Sequence, residues 1–412
     1  MIRDRNSISR RELLKRAGIL GAAVGTPGLL SACGVFGGDD DGGGGTDEAL
    51  KIGLLVPTSG VYAALGEDMR NGFDLYLDNN NSRLGGRRVD LVVEDEGETP
   101  EGALRKAQKL VRQDRVTLVT GIVNSAAALS MRDLFDEEQV PLIISNAGAN
   151  DLTGAARSPY LFRTSFANSQ VSLPLGGWVY DNITQSNAFV TAPDYAAGAE
   201  ATGGFRETFE AAGGSIVGES FPPFGTTDDY QPFLSDIERS GAEVVFAFYA
   251  GGEAITFVTQ YEQFGLKESI PLVGSGFLTD EGVLPAQKDA ALGIQTSLHY
   301  TPRLDNPTNE EFSSAYQEAF DEPPTVYAVQ QYDAAQVIDK AIRELDGDTG
   351  DVAALIEALA NVGTIDSPRG EFEMDPETHN PIQPMYLREV QEVGGVLVNE
   401  PVENLGRTEA PQ

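Results

Sequence analysis

From Ala49 onward, short apolar runs alternate with longer amphipathic segments, and this rhythm constrains the chain more than any single motif. The first run, LKIGLLV at 50–56, is apolar on both faces apart from Lys51, as expected of a strand covered on both sides in a parallel sheet. A Pro-Thr-Ser-Gly turn follows, then a helical pattern through Met69, Phe73, Leu75 and Leu77. Further strands are expected at 89–93, 116–119 and 141–145, with a helix opened by Pro100 and another from Ala126 to Phe135. Parallel neighbours need crossover helices, so this order predicts a right-handed, doubly wound sheet. The rhythm restarts at 187–191. Strands at 215–218, 244–248 and 271–273, with helices at 197–212, 229–240 and 253–264, make a second such unit. The expected fold class is α/β, with two doubly wound parallel-sheet lobes. Helices at 312–320, 332–345 and 352–359 and a turn-rich, strand-like stretch at 371–398 follow.

Composition removes several kinds of chemistry. Asp and Glu number 63 against 29 Lys and Arg, a formal charge of −34. Such a surface repels phosphate backbones, so no nucleic-acid partner is expected. This acid-rich, lysine-poor usage resembles that of halophiles, and a high-GC bacterial source gives the same bias. With one cysteine, Cys33, no internal disulfide forms. The two histidines, His299 and His379, stand far apart in sequence. No G-x-S-x-G, G-x-x-x-x-G-K-[ST] or H-E-x-x-H motif is present. We expect no catalytic residue, no metal and no cofactor; the enzymatic alternative is a cleft hydrolase working through carboxylates.

The first 48 residues read as an address. SRRELLK at 9–15 precedes a weakly apolar run, 17–30, too short to span a membrane, and resembles a twin-arginine export signal. The following LSACG at 30–34 resembles a bacterial lipobox, which implies cleavage before Cys33 and acylation of its sulfur. Residues 1–32 would then be the signal peptide and 33–48 an acidic, glycine-rich tether. The expected location is the outer face of the cytoplasmic membrane, lipid-anchored through Cys33.

Ligands of α/β proteins collect at the carboxyl ends of the strands. After the third strand comes GIVNSA, 121–126, with Ser125 expected as the N-cap of the next helix, whose first amides favour an anion. SNAGA, 145–149, is a small-residue turn that permits close backbone approach. In the second unit Asp194-Tyr195 and Tyr249-Ala250-Gly251-Gly252 follow strands, and either tyrosine can cover a small molecule and hydrogen-bond it.

The body from Ala49 to about Arg407 resembles a branched-chain amino-acid (Leu/Ile/Val) type periplasmic binding protein, type I fold. The similarity is carried by PTSGVYAALG at 57–66, GIVNSAAA at 121–128, IISNAGAN at 143–150 and TTDDYQPFLSDI at 226–237. VYAVQQYDAAQVIDKAI at 326–342 and SPRGEFEMDPETHNPIQPMYLREV at 367–390 extend it. The resemblance implies lobe 1 at 49–165 plus 298–375, lobe 2 at 166–297 plus 376–406, and crossovers near 163–168, 296–300 and 374–384. It implies a solute-binding receptor that delivers a small polar ligand to ABC permease and ATPase subunits, acting as a monomer; a receptor coupled to a membrane kinase is the alternative. Carried over by position, Asn124 and Ser125 hold a ligand carboxylate, Ala147 offers a backbone contact, and Tyr195, Tyr249 and Tyr327 supply aromatic contacts. Ala149 stands where the family has a threonine that helps hold the ligand amine, and Gly276 where it has the acid that pairs with it. Glu253, Asp280, Glu281 and Asp194 are the substitutes at hand. With both partners lost, a ligand with a carboxylate and no amine, or a neutral amide, fits at least as well as an amino acid.

Overall fold

The computed structural model describes residues 48–410, which lie in one compact unit. Cys33, the twin-arginine stretch and all but the end of the tether fall outside the described residues.

The first lobe is a six-stranded sheet in the order β2-β3-β1-β4-β5-β6. Its strands are β1 (Leu50–Val56), β2 (Arg83–Leu84), β3 (Arg87–Asp95), β4 (Leu118–Gly121), β5 (Leu142–Ile144) and β6 (Leu161–Arg163). Helices α1 (Ala63–Asn79), α2 (Pro100–Gln108) and α3 (Ser125–Glu138) connect them. All neighbours are parallel except the β2–β3 hairpin. In β1, Leu50, Ile52, Leu54 and Leu55 are fully buried, each contributing about 1.5–3 kcal/mol on leaving water. Gly121 ends β4 in a left-handed conformation (φ +122°) against the Leu55 carbonyl, where a Cβ would collide.

The second lobe uses α4 (Leu173–Asn182), β7 (Asn187–Thr191), α5 (Ala196–Ala212), β8 (Ser215–Ser220), α6 (Gln231–Ser240) and β9 (Val244–Ala247). It continues with α7 (Gly251–Gln263), β10 (Leu272–Ser275), the short α8 (Leu284–Gln287) and β11 (Gln295–Leu298). Strands β7 to β11 are mutually parallel, in the order β11-β10-β9-β7-β8. The chain then forms α9 (Pro307–Phe320), α10 (Val326–Glu344), α11 (Val352–Ala360), β12 (Thr364–Ile365), β13 (Phe372–Met374), β14 (Pro381–Val393) and β15 (Val396–Thr408). Strand β14 pairs antiparallel with β13, β11 and β15, so the second sheet is mixed rather than purely parallel.

The late elements return to the first lobe: Ile338 and Ile342 of α10, Leu355 of α11 and Phe372 of β13 share one apolar cluster with Ile52 and Phe73. Helix α10 begins six residues earlier than the apolar periodicity indicates, because Thr325, just after Pro323-Pro324, caps it by accepting from the Ala328 amide. That early start places Tyr327 in the first turn.

Three fully buried arginines sit where the chain passes between lobes. Arg163 donates from Nε to Asn380 Oδ1 at 2.6 Å and from Nη1 to the Ala149 carbonyl at 2.7 Å. Arg369 donates to the Thr164 and Ser165 carbonyls and to Gln383 Oε1, with its Nε 3.1 Å from Asp333 Oδ2. Arg388 donates to the Tyr300 carbonyl at 2.8 Å and the Gly276 carbonyl at 2.7 Å. A guanidinium offers five donors in a rigid fork, so each satisfies several carbonyls that irregular chain would otherwise leave bare.

Candidate functional site

A cavity lies where the carboxyl ends of the two lobes' parallel strands face each other. Its polar end is built by the loop after β4. Ile122, held at φ +71°, donates its amide to the Leu55 carbonyl and turns the chain toward α3. Asn124, not Ser125, is the N-cap: its Oδ1 accepts from the amides of Ala126 at 2.9 Å and Ala127 at 3.1 Å. Asn124 takes the extended backbone a cap needs, which leaves Ser125 as the first helical residue and among those lining the cavity. Behind this turn the buried Glu96 carboxylate accepts from the Val123 and Asn124 amides, both at 2.9 Å. Burial pushes Glu96 up to about 7, against the pull of those two donors.

The walls are aromatic. Tyr62, Phe166, Tyr195, Phe248, Phe277 and Tyr327 line the cavity, drawn from both lobes. Phe166 and Phe277 stand 4.9 Å apart, and Phe277 lies 6.2 Å from Phe248 and 6.0 Å from Tyr327. Asn146 and Asn168 complete the polar lining. Asn168 Nδ2 reaches Ser125 Oγ at 3.3 Å and Glu200 Oε2 at 2.7 Å, and Glu200 also accepts the Asn150 amide at 3.0 Å. Glu200 therefore joins α5 of the second lobe to the loop after β5 of the first. Phe224 stacks on Tyr195 at 4.4 Å and, with Tyr62, lines an outer pocket next to the cavity.

None of the described residues lining the cavity carries a formal charge. Of the acids considered as amine partners, Glu253 accepts the Gly225 amide, Asp280 the Gly282 amide and Glu281 the Asn399 side chain, while Asp194 is exposed. A side chain at 276 is excluded sterically, because Arg388 and Leu298 occupy the space a Cβ would need.

Of the eight ligand-contact positions expected from sequence, Asn124, Ser125, Tyr195 and Tyr327 line the cavity. Ala147, Ala149, Tyr249 and Gly276 do not. Ala147 and Ala149 pack in the first lobe's core; the Ala147 amide donates to Ile122, and the Ala149 carbonyl accepts from Arg163. Tyr249 is fully buried, its hydroxyl 2.7 Å from Thr191 Oγ1. In both loops the displacement is one residue: Asn146 and Gly148 flank Ala147, and Phe248 and Ala250 flank Tyr249. Side chains alternate along extended chain, so a one-residue slip exchanges wall for core. The sequence reading also missed Tyr62, Phe166, Asn168 and Phe277; Tyr62 lies inside the PTSGVYAALG stretch already singled out.

Residues 49–395 match the sequence profile of the periplasmic binding proteins. The chain belongs to the periplasmic binding protein family. That membership places this binding protein outside the cytoplasm. It is 33% identical over 348 residues to Leu/Ile/Val-binding protein homolog 6 of Brucella melitensis, covering 83% of this chain and 88% of the relative. Among solved structures, an ABC transporter substrate-binding protein from Sphaerobacter thermophilus superposes with a TM-score of 0.82 at 38% identity, covering 87% of this chain and 98% of that one. A solute-binding protein of an ABC transporter from R. palustris, in complex with benzoate, gives 0.82 at 37% identity, covering 89% and 98%. Another, from Rhodopseudomonas palustris BisB5 in complex with 3,4-dihydroxybenzoic acid, gives 0.83 at 33%, covering 88% and 99%.

Proposed function

We propose that this binding protein is the receptor of an ABC importer and that its ligand is a small aromatic carboxylate of the benzoate type. The observation that carries this reading is an uncharged cavity walled by six aromatic rings, with Ser125 and the start of α3 at one end. A ligand ammonium would have no anionic partner there, and burying it unpaired is costly. A carboxylate fits: the Ser125 hydroxyl is a donor, and the helix N-terminus favours negative charge. Charge-assisted bonds of about 1.5–3 kcal/mol each, with edge and face contacts to the rings, reach the roughly 8 kcal/mol of micromolar binding. The benzoate and dihydroxybenzoate complexes of relatives above 30% identity support the same class.

The receptor takes up its ligand between open lobes and presents the closed form to permease and ATPase subunits, acting as a monomer held to the membrane by a lipid on Cys33 after twin-arginine export. Calorimetric titration with benzoate, benzamide and leucine tests the ligand class. Benzoate binds at micromolar concentration, benzamide more weakly and leucine not at all; Ser125→Ala weakens benzoate roughly 10- to 100-fold. Binding of leucine in preference to benzoate overturns the proposal.

A further inference from the structure

From the cavity wall, a relay of two amide side chains leads to an imidazole that the carboxylate site does not use. Asn146, on the wall, donates from Nδ2 to Gln330 Oε1 at 2.8 Å. Gln330 donates from Nε2 to His299 Nε2 at 3.0 Å. The three residues follow or lie on different elements (after β5, on α10 and after β11), and at 5%, 0% and 0% exposure none meets bulk water. His299 also stacks 5.9 Å from Phe166, another wall residue.

The donors in this relay run in one direction. Burial, with the nearby Arg369 and Arg388 guanidiniums, holds His299 well below its usual pKa, so the ring is neutral and has one lone pair. Gln330 turns its nitrogen to the ring and its oxygen to Asn146, which places the lone pair on Nε2 and the ring proton on Nδ1, where it has no partner among the described residues. Asn146 then spends a donor on Gln330 and turns Oδ1 elsewhere. No described residue donates to that oxygen, and it is not among the sealed, unpaired atoms of the interior, so it opens on the cavity.

We infer that Asn146 is a specificity-determining residue that offers the ligand ring a hydrogen-bond acceptor, with Gln330 and His299 as positioning residues that fix which way its amide faces. The inference rests on the aromatic-carboxylate reading and narrows it to hydroxyl-bearing rings. A ring hydroxyl donates to Oδ1. Unsubstituted benzoate leaves that acceptor dry and unpaired, and a second carboxylate meets it with like partial charge.

The test is calorimetric titration of the purified protein with benzoate, 3-hydroxybenzoate and 4-hydroxybenzoate, alongside Asn146→Ala and Gln330→Met. The wild type is expected to bind one hydroxybenzoate isomer about tenfold or more tighter than benzoate. In Asn146→Ala that ratio collapses to about twofold, read as a ratio so that any common change in affinity for all three acids cancels. Gln330→Met, which never touches the ligand, shrinks the same ratio because the amide loses its tether; a merely structural role would weaken all three ligands equally. Wild-type binding of benzoate with no hydroxyl preference, or a preference that survives both substitutions, overturns the inference and leaves the aromatic-carboxylate reading standing. Failure of all three acids to bind overturns both.

Discussion

Glu200 offers a test of how the lobes are held shut, because two readings of its carboxylate predict opposite results. Its Oε2 accepts from Asn168 Nδ2 at 2.7 Å and from the Asn150 amide at 3.0 Å, bridging the lobes beside the cavity. If charge makes the latch, Glu200→Gln should weaken binding as much as Glu200→Ala. Burial, however, raises the Glu200 pKa despite both hydrogen bonds, so shutting the lobes costs the anion more than it would cost a neutral acceptor in the same place. The carboxamide keeps an acceptor oxygen in place, and Glu200→Gln should bind within about threefold of wild type. Glu200→Ala strips acceptors from a buried side-chain amide and a half-buried backbone amide, at about 1–3 kcal/mol for the first and less for the second. The sum, about 2–4 kcal/mol, corresponds to roughly 30- to 1000-fold weaker binding if the bonds exist only when the lobes are closed. Stopped-flow measurement should put the loss in the dissociation rate, because the encounter precedes closure. The sign of the pH effect follows: closure takes up a proton, so wild-type affinity rises as pH falls toward the raised pKa, and Glu200→Gln removes that slope. Equal losses in Glu200→Gln and Glu200→Ala would refute this account, as would a loss confined to association.

Two further outcomes follow from the buried charges. Arg369→Met leaves Asp333 without its cation and should destabilise the protein by about 3–5 kcal/mol, read from chemical denaturation. Burial pushes Asp333 up to about 6 even with the Arg369 guanidinium pulling it down, so removing the cation raises it further; the deficit is full above that higher pKa and shrinks as pH falls from there toward 6. Gly276→Asp, which restores the acid the family resemblance leads one to expect, should not confer leucine binding, because Arg388 and Leu298 fill the space its Cβ would take. A thermal melt should instead show destabilisation by about 1–3 kcal/mol from overpacking.

The strand–helix alternation was legible because buried parallel strands are nearly all apolar, as in LKIGLLV, and their crossover helices carry a different period. The strand-like stretch at 371–398 was legible as well, and β13, β14 and the start of β15 form there. That β14 runs antiparallel to β11 and β15 was not legible, because the residues of PIQPMYLREVQEV carry no mark of pairing direction. At the site, Asn124 and Ser125 were legible because a cap before a helix has a chemical signature. Which residue caps turned on backbone conformation. Tyr249 and Ala147 were displaced by one position because the alternation phase of a strand-end loop depends on where the strand stops. Asn168 and Phe277 carry no local signature; they reach the cavity through chain crossing and lobe packing, which involve residues distant in sequence.

The uncharged cavity lies inside a chain of formal charge −34, so the lining and the surface treat an anionic ligand in opposite ways. On the proposed reading, a carboxylate approaching from solution is repelled before it meets the neutral donors assigned to hold it. The range of that repulsion is set by ionic strength: about 10 Å at 0.1 M salt and about 3 Å at 1 M. Added salt therefore speeds capture, the reverse of its effect on oppositely charged partners, while contacts sealed among the rings are little affected. A receptor built this way gathers an aromatic acid fastest in brine.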